Sequence, residues 1–209
     1  MSPFPRHHQS HVETRTAEFG KWLFDHTTYK EWQNSSSSSI LLLHGIPGSG
    51  ETALCSSVAD SFFGVSSLYP SAAPIAYFYC SGTEFGTERT FPDEIMRSIL
   101  RQLAVKGDSR PSIRELLLSE FERRSAAAKV NGFDMPKLLL KDCVKLILNL
   151  TELDPVVIIV DAIDEVPSHN RFAFLDALRQ IAEESANVVK IFATTRNDTQ
   201  VFPCYLRHR

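Results

Sequence analysis

The stretch Ile40-Leu41-Leu42-Leu43-His44-Gly45-Ile46-Pro47-Gly48-Ser49-Gly50-Glu51-Thr52 constrains this chain more than any other. A short apolar run of strand length ends in a loop with glycines at 45, 48 and 50. An apolar-periodic segment then begins at Thr52 and runs through Ala53, Leu54, Val58 and Phe62 to Phe63, which predicts a helix. Strand, glycine loop and helix in that order is the context of a phosphate-binding loop. Glycines let backbone N–H groups converge on a phosphate without Cβ clashes. The helix start adds unpaired N–H donors and the positive end of its dipole.

The pattern G-x-x-x-x-G-K-[ST] is met at Gly45, Gly50 and Thr52 and broken at one position, where Glu51 stands in place of the lysine. With an effective dielectric of about 20, unit charges roughly 4 Å apart interact by ~4 kcal/mol. Exchanging attraction for repulsion toward a triphosphate therefore costs several powers of ten in affinity. A glutamate at a helix N-terminus is favourable for the helix itself, so the fold need not suffer.

A second arm lies about 110 residues downstream. Val156 to Val160 reads as a central buried parallel strand and runs directly into Asp161-Ala162-Ile163-Asp164-Glu165. A Mg²⁺-nucleotide site needs such a carboxylate at a strand end, with Asp161 meeting the ion's shell beside Thr52. A later acid, Glu165 or Asp164, suits a general base that polarises an attacking water. The structural alternative is an Asp acting as a helix cap, with Val166-Pro167 as a simple turn. Arg196, at the end of a further strand, reads either as a γ-phosphate sensor or as an ordinary surface arginine. His44 reads as a packed strand residue rather than a ligand.

Between these arms, Ile75 to Cys80 is a buried strand, glycines 82 and 86 mark a loop, and Thr90 or Pro92 opens a helix. Gly107 to Pro111 breaks that helix, Ile113 to Phe121 begins another, Asn131-Gly132 is a turn, and Pro136 suits the first position of the next. Phe172, Leu175, Leu178 and Ile181 predict a helix, and Val188 to Ala193 a fourth strand. Strands alternating with helices indicate an α/β fold, a parallel sheet covered on both faces in three layers. Residues 1–13 read as a disordered, solvated lead-in despite His7, His8 and His11. Residues 14–39 read as two short helices, whose aromatics (Trp22, Tyr29 and Trp32 among them) pack on the flank, followed by an inert serine linker. Residues 40–200 form the core and 201–209 a tail.

With 209 residues, 43% of them apolar, the chain suits one domain with a proper core. A net charge of −3 offers no field for nucleic acid or an anionic membrane, and Arg123-Arg124 and Arg207-His208-Arg209 read as solvated surface. Cys55, Cys80, Cys143 and Cys204 match no metal or redox spacing and read as reduced thiols. With no apolar signal core and no membrane-length apolar run, the expectation is a cytoplasmic protein with neither nucleic-acid nor membrane partners.

Gly45 to Thr52, Gly20-Lys21-Trp22-Leu23-Phe24, Tyr29-Lys30-Glu31-Trp32, the Val156–Glu165 block and Thr194-Thr195-Arg196 together resemble fungal NACHT-type NTPase domains. The nearest subgroup is the nephrocystin-3-like N-terminal domain, over roughly residues 14–200. The resemblance implies a signal-transduction NTPase that binds ATP or GTP with Mg²⁺ and self-associates. It places Gly45, Ile46, Pro47, Gly48, Ser49, Gly50, Glu51, Thr52 and Ala53 along the nucleotide, with Thr52 and Asp161 on Mg²⁺. Glu165, Asp164 and Arg196 become the catalytic acid and the sensor. No phosphate-binding role carries over to Glu51. The implied sheet order is 5-1-4-3-2, and with the fifth strand missing it becomes 1-4-3-2. That leaves the first strand as an apolar edge open to protein partners or self-association. Three readings follow: a nucleotide-binding module with hydrolysis weakened by Glu51, a scaffold that binds no nucleotide, or a truncated or singly altered copy of an intact NTPase.

Overall fold

Val156-Val157-Ile158-Ile159-Val160 is β-branched at every position, which favours extended backbone and resists helix. A computed structural model of the chain describes residue 8 and residues 20–46, 48–68, 72–81, 90–106 and 112–196. In it this run is the core of β3 (Val156–Asp161), and every residue of the strand is buried. β1 (Ser39–Gly45), β2 (Ile75–Tyr79) and β4 (Val189–Arg196) complete one parallel sheet in the order β1-β4-β3-β2. This is the expected 1-4-3-2 order. Among the described residues no fifth strand pairs with β1, so β1 is an edge.

Around the sheet stand α1 (Lys21–Asp25), α2 (Thr27–Asn34), α3 (Glu51–Leu68), α4 (Pro92–Leu103), α5 (Glu115–Asn131), α6 (Leu140–Thr151) and α7 (Ser168–Glu184). Successive strand side chains point to opposite faces, and the core divides accordingly. Ile158, Val160, Phe78, Ile191 and Ala193 join Ile95, Ile99, Ile147, Phe174 and Leu178 on one face. Val157, Ile159, Tyr77, Tyr79 and Phe192 meet Tyr29, Trp32, Leu54, Cys55 and Val58 on the other. The result is a three-layer α/β domain, and no described helix is long and apolar enough to cross a membrane.

Several local expectations are corrected. The helix after the glycine loop begins at Glu51 and runs past Phe63 to Leu68. Ile113 is not helical: it pairs with Val105 in a two-residue antiparallel ribbon, and α5 starts at Glu115. Asn131 still belongs to α5, and Gly132 ends it in the left-handed conformation at φ 68°, where a glycine carries no Cβ penalty. Pro136 opens no helix. The start of α6 lies at Leu140, where the Asp142 carboxylate accepts the Leu139 N–H at 3.1 Å and Asp93 accepts the Leu140 N–H. Phe172 is exposed, because the helix phase that buries Leu175, Leu178 and Ile181 turns Phe174 inward instead. Trp22 is likewise exposed, while Leu23, Tyr29 and Trp32 carry the flank packing.

The serine run is not inert. Ser39 opens β1, and the Ser38 hydroxyl accepts the Val189 N–H at 3.0 Å. Buried Lys190 donates to the Ser37 carbonyl at 2.8 Å and to Ser39 Oγ at 3.2 Å. These bonds clasp the starts of β1 and β4. His8, expected in solvent, is half-buried against β2 and α3, because both of its ring nitrogens find partners there. Cys55, Cys80 and Cys143 are free, buried thiols as expected. His7, His11, Pro47, the loop at glycines 82 and 86, the break at 107–111, Cys204 and the tail at 201–209 lie outside the described residues.

Candidate functional site

The two arms meet at the carboxyl ends of the strands, where open α/β sheets place their ligand sites. β1 delivers Gly45, and the chain turns through Ile46 with Ser49 N–H donating to the Ile46 carbonyl at 3.0 Å. Gly48 and Gly50 have φ of 84° and 86°, backbone that side chains other than glycine rarely adopt. α3 follows at once, with Leu54 N–H bonded to the Gly50 carbonyl at 2.9 Å. The first-turn N–H groups of a helix have no partner within the helix, so this start supplies donors beside the loop.

Thr52 and Asp161, 109 residues apart, are joined directly: Thr52 Oγ1 donates to Asp161 Oδ2 at 2.7 Å. Thr194 Oγ1 donates to Asp161 Oδ1 at 2.5 Å and in turn accepts the Ala162 N–H at 2.8 Å. Asp161 is 2% exposed, so these hydroxyls hold its carboxylate in place of water. Ala162 sits in the left-handed region at φ 54°, a cost of order 1 kcal/mol for a non-glycine residue. The Thr194 bond offsets part of that cost and turns the chain sharply into the 3₁₀ turn Ile163–Glu165.

That turn presents Asp164 and Glu165 to Arg196. The Arg196 backbone N–H donates to Asp164 Oδ1 at 3.0 Å, and its guanidinium lies 3.0 Å from Glu165 Oε1 and 3.5 Å from Asp164 Oδ2. Arg171, buried at the start of α7, donates to the carbonyls of Val166 at 3.1 Å and Asp164 at 2.7 Å, bracing the turn from behind.

Glu51, the first residue of α3, bends back over the loop. Its carboxylate accepts from Ser49 Oγ at 3.3 Å and lies so close to Gly45 that any Cβ there would collide with it. Burial pushes the Glu51 carboxyl above its usual range, the Ser49 bond opposes this, Asp164 and Asp161 raise it further, and Arg196 lowers it. These three acids and the one arginine thus share a single electrostatic neighbourhood. His44 is half-buried at the end of β1, and burial pushes its imidazole down. Cys55, one turn beyond Thr52, is fully buried and its thiol is pushed far up by burial, so it is no nucleophile.

The described residues therefore bring together Gly45, Ile46, Gly48, Ser49, Gly50, Glu51, Thr52, Asp161, Asp164, Glu165 and Arg196. The Ala53 carbonyl accepts the Ser56 and Ser57 hydroxyls at 2.8 and 2.9 Å. Thr52 and Asp161 supply hard oxygen donors that suit Mg²⁺, an ion that takes most of its shell from water and phosphate. Among the described residues no group of three His, Cys, Asp or Glu side chains could hold a metal by itself. A glycine loop of this kind can meet a phosphate through its backbone, and the Glu51 carboxylate lies against it at Gly45 and Ser49. Sequence reasoning gave no role to Thr194 or Arg171. Thr194 is one step beyond the paired Val160 and Ala193, a register that no linear pattern reveals.

A three-layer α/β domain with a glycine loop facing a buried aspartate is the class of protein that this geometry defines. The chain belongs to the nephrocystin-3 N-terminal family, whose sequence model matches residues 18–196. No curated protein sequence matches the chain significantly.

Proposed function

We propose that the domain is a NACHT-like, P-loop signal-transduction module that binds Mg²⁺ with ATP or GTP, and that Glu51 weakens or abolishes hydrolysis. The observation that carries this reading is the Thr52–Asp161 hydrogen bond at 2.7 Å, struck beside a glycine loop across 109 residues. Gly45, Ile46, Gly48, Ser49 and Gly50 would line the phosphates through their backbone, with Pro47 and Ala53 flanking them. Thr52 and Asp161 would hold Mg²⁺, which when bound neutralises phosphate charge. Glu165 or Asp164 would orient the attacking water, and Arg196 would leave its acidic partners for the γ-phosphate. Buried free thiols agree with a reducing compartment such as the cytoplasm. The edge of β1, unpaired among the described residues, is where a protein partner or a second copy would add a strand.

A specific observation also favours a second reading, a scaffold that binds no nucleotide. The Glu51 carboxylate already lies against Gly45 and Ser49 and would have to be displaced by any phosphate. Calorimetric titration of the chain and of Glu51→Lys with ATP, ADP, GTP and GDP in Mg²⁺ separates the two. Binding by both chains supports the nucleotide-binding module, whereas binding by the lysine variant alone shows a site that Glu51 closes in the natural chain, which is the scaffold reading. Two folded proteins that bind nothing leave the scaffold.

A further inference from the structure

His8 is pinned against the face formed by α3 and β2. Its Nδ1 lies 2.8 Å from the Tyr79 hydroxyl and its Nε2 lies 2.8 Å from Asp60 Oδ1. Its ring centroid stands 5.0 Å from that of Tyr77, 5.7 Å from Phe63 and 6.1 Å from Tyr79. Phe63 and Tyr77 meet edge to face at 5.6 Å and 89°, which makes two walls of a box. Only 13% of the His8 side chain remains exposed.

The chemistry of this box is selective. A neutral imidazole offers one donor and one acceptor on opposite edges of a flat ring. A carboxylate oxygen accepts, so Asp60 suits the Nε2–H tautomer of a neutral imidazole, in which Nδ1 accepts the Tyr79 O–H. Burial raises the Tyr79 phenol far above its usual range, so that proton stays in place. A phenyl ring would fill the box but meet neither polar group, and a lysine would bring a donor without a ring.

We propose that Phe63, Tyr77, Tyr79 and Asp60 form an imidazole-selective socket, and that its occupant is this chain's own His8, which fastens the amino-terminal stretch to the domain. The fastening point touches the two elements that flank the candidate site. Asp60 lies eight residues beyond Thr52 on the same face of α3, and Tyr79 is the register partner of Asp161.

The test is chemical rescue of the full chain. His8→Ala should lower the melting temperature by a few degrees. Added imidazole should restore it saturably, while the wild type should not respond. Rescue should disappear when Asp60→Ala or Tyr79→Phe is combined with His8→Ala. An equal response of wild type and variant, or no response in a folded variant, overturns the proposal. If His8→Ala does not fold, nuclear Overhauser contacts from the His8 ring to Phe63 and Tyr77 in the wild type decide the matter. Their presence supports the socket and their absence overturns it.

Discussion

β1 and β3 are apolar strands of the same sheet, and each ends in one half of the candidate site, yet they sit in different surroundings. Every residue of β3 is buried, whereas every residue of β1 is only half-buried. β3 has a strand on either side and helices over both faces. β1 pairs only with β4 among the described residues, and beneath it an apolar void of about 10 Å³ lies among Ile40, Leu42, Ile163, Leu175, Leu178 and Ala193. The acidic arm is therefore held by the core, and the loop arm by an edge. Glu51 sits on the arm that the edge holds, away from the fully buried strand.

The sharpest test of that asymmetry is Glu51→Lys. It should raise Mg²⁺-nucleotide affinity by at least about three powers of ten, from ~4 kcal/mol of charge attraction gained, with little change in urea unfolding. A variant that unfolds early instead would show that the loop arm depends on this carboxylate. Next in size, Ile158→Ala in β3 should cost about 2–5 kcal/mol of unfolding free energy, and Leu42→Ala in β1 clearly less. Equal costs would erase the distinction between edge and centre.

Thr194→Val, read by the same denaturation, should cost roughly 1–3 kcal/mol, because it strips buried Asp161 and the Ala162 N–H of their shared partner. On the edge, Ser38→Ala should cost only about 1 kcal/mol through the lost clasp to Val189.

The smallest effect is a pH dependence. The Glu51 carboxyl is raised in the folded chain, so the fold prefers it protonated. Its ionisation therefore subtracts stability as pH rises above its ordinary value near 4.5, and subtracts nothing well below that value. Glu51→Gln should accordingly be slightly more stable than the wild type at neutral pH, with the two melting temperatures converging in acid. A difference that grows in acid would contradict the raised carboxyl.

Much of this architecture was legible in linear order. The alternation of strands and helices, the β-branched run at 156–160 and the glycines at 48 and 50 each follow from local backbone preference, and local preference is written residue by residue. Boundaries were less legible. Pro136 and Ile113 carry good local signals for a helix start, but Asp142 and Asp93 capture the backbone at Leu139 and Leu140, and Val105 pairs with Ile113. Phe172 and Phe174 differ only in helix phase relative to the sheet, which a single turn of sequence does not set.

By itself, then, the sequence determined the class of fold, the order of its elements and the residues at each strand end, because burial and backbone conformation act at short range. Which distant groups touch follows from the packing of the whole fold. It placed Thr194 on Asp161, Arg171 behind the acidic turn, Arg196 between Asp164 and Glu165, and His8 in its aromatic box. Those contacts depend on strand register and on how helices lie across a sheet, and both are settled by packing of the whole core rather than by any local run of residues.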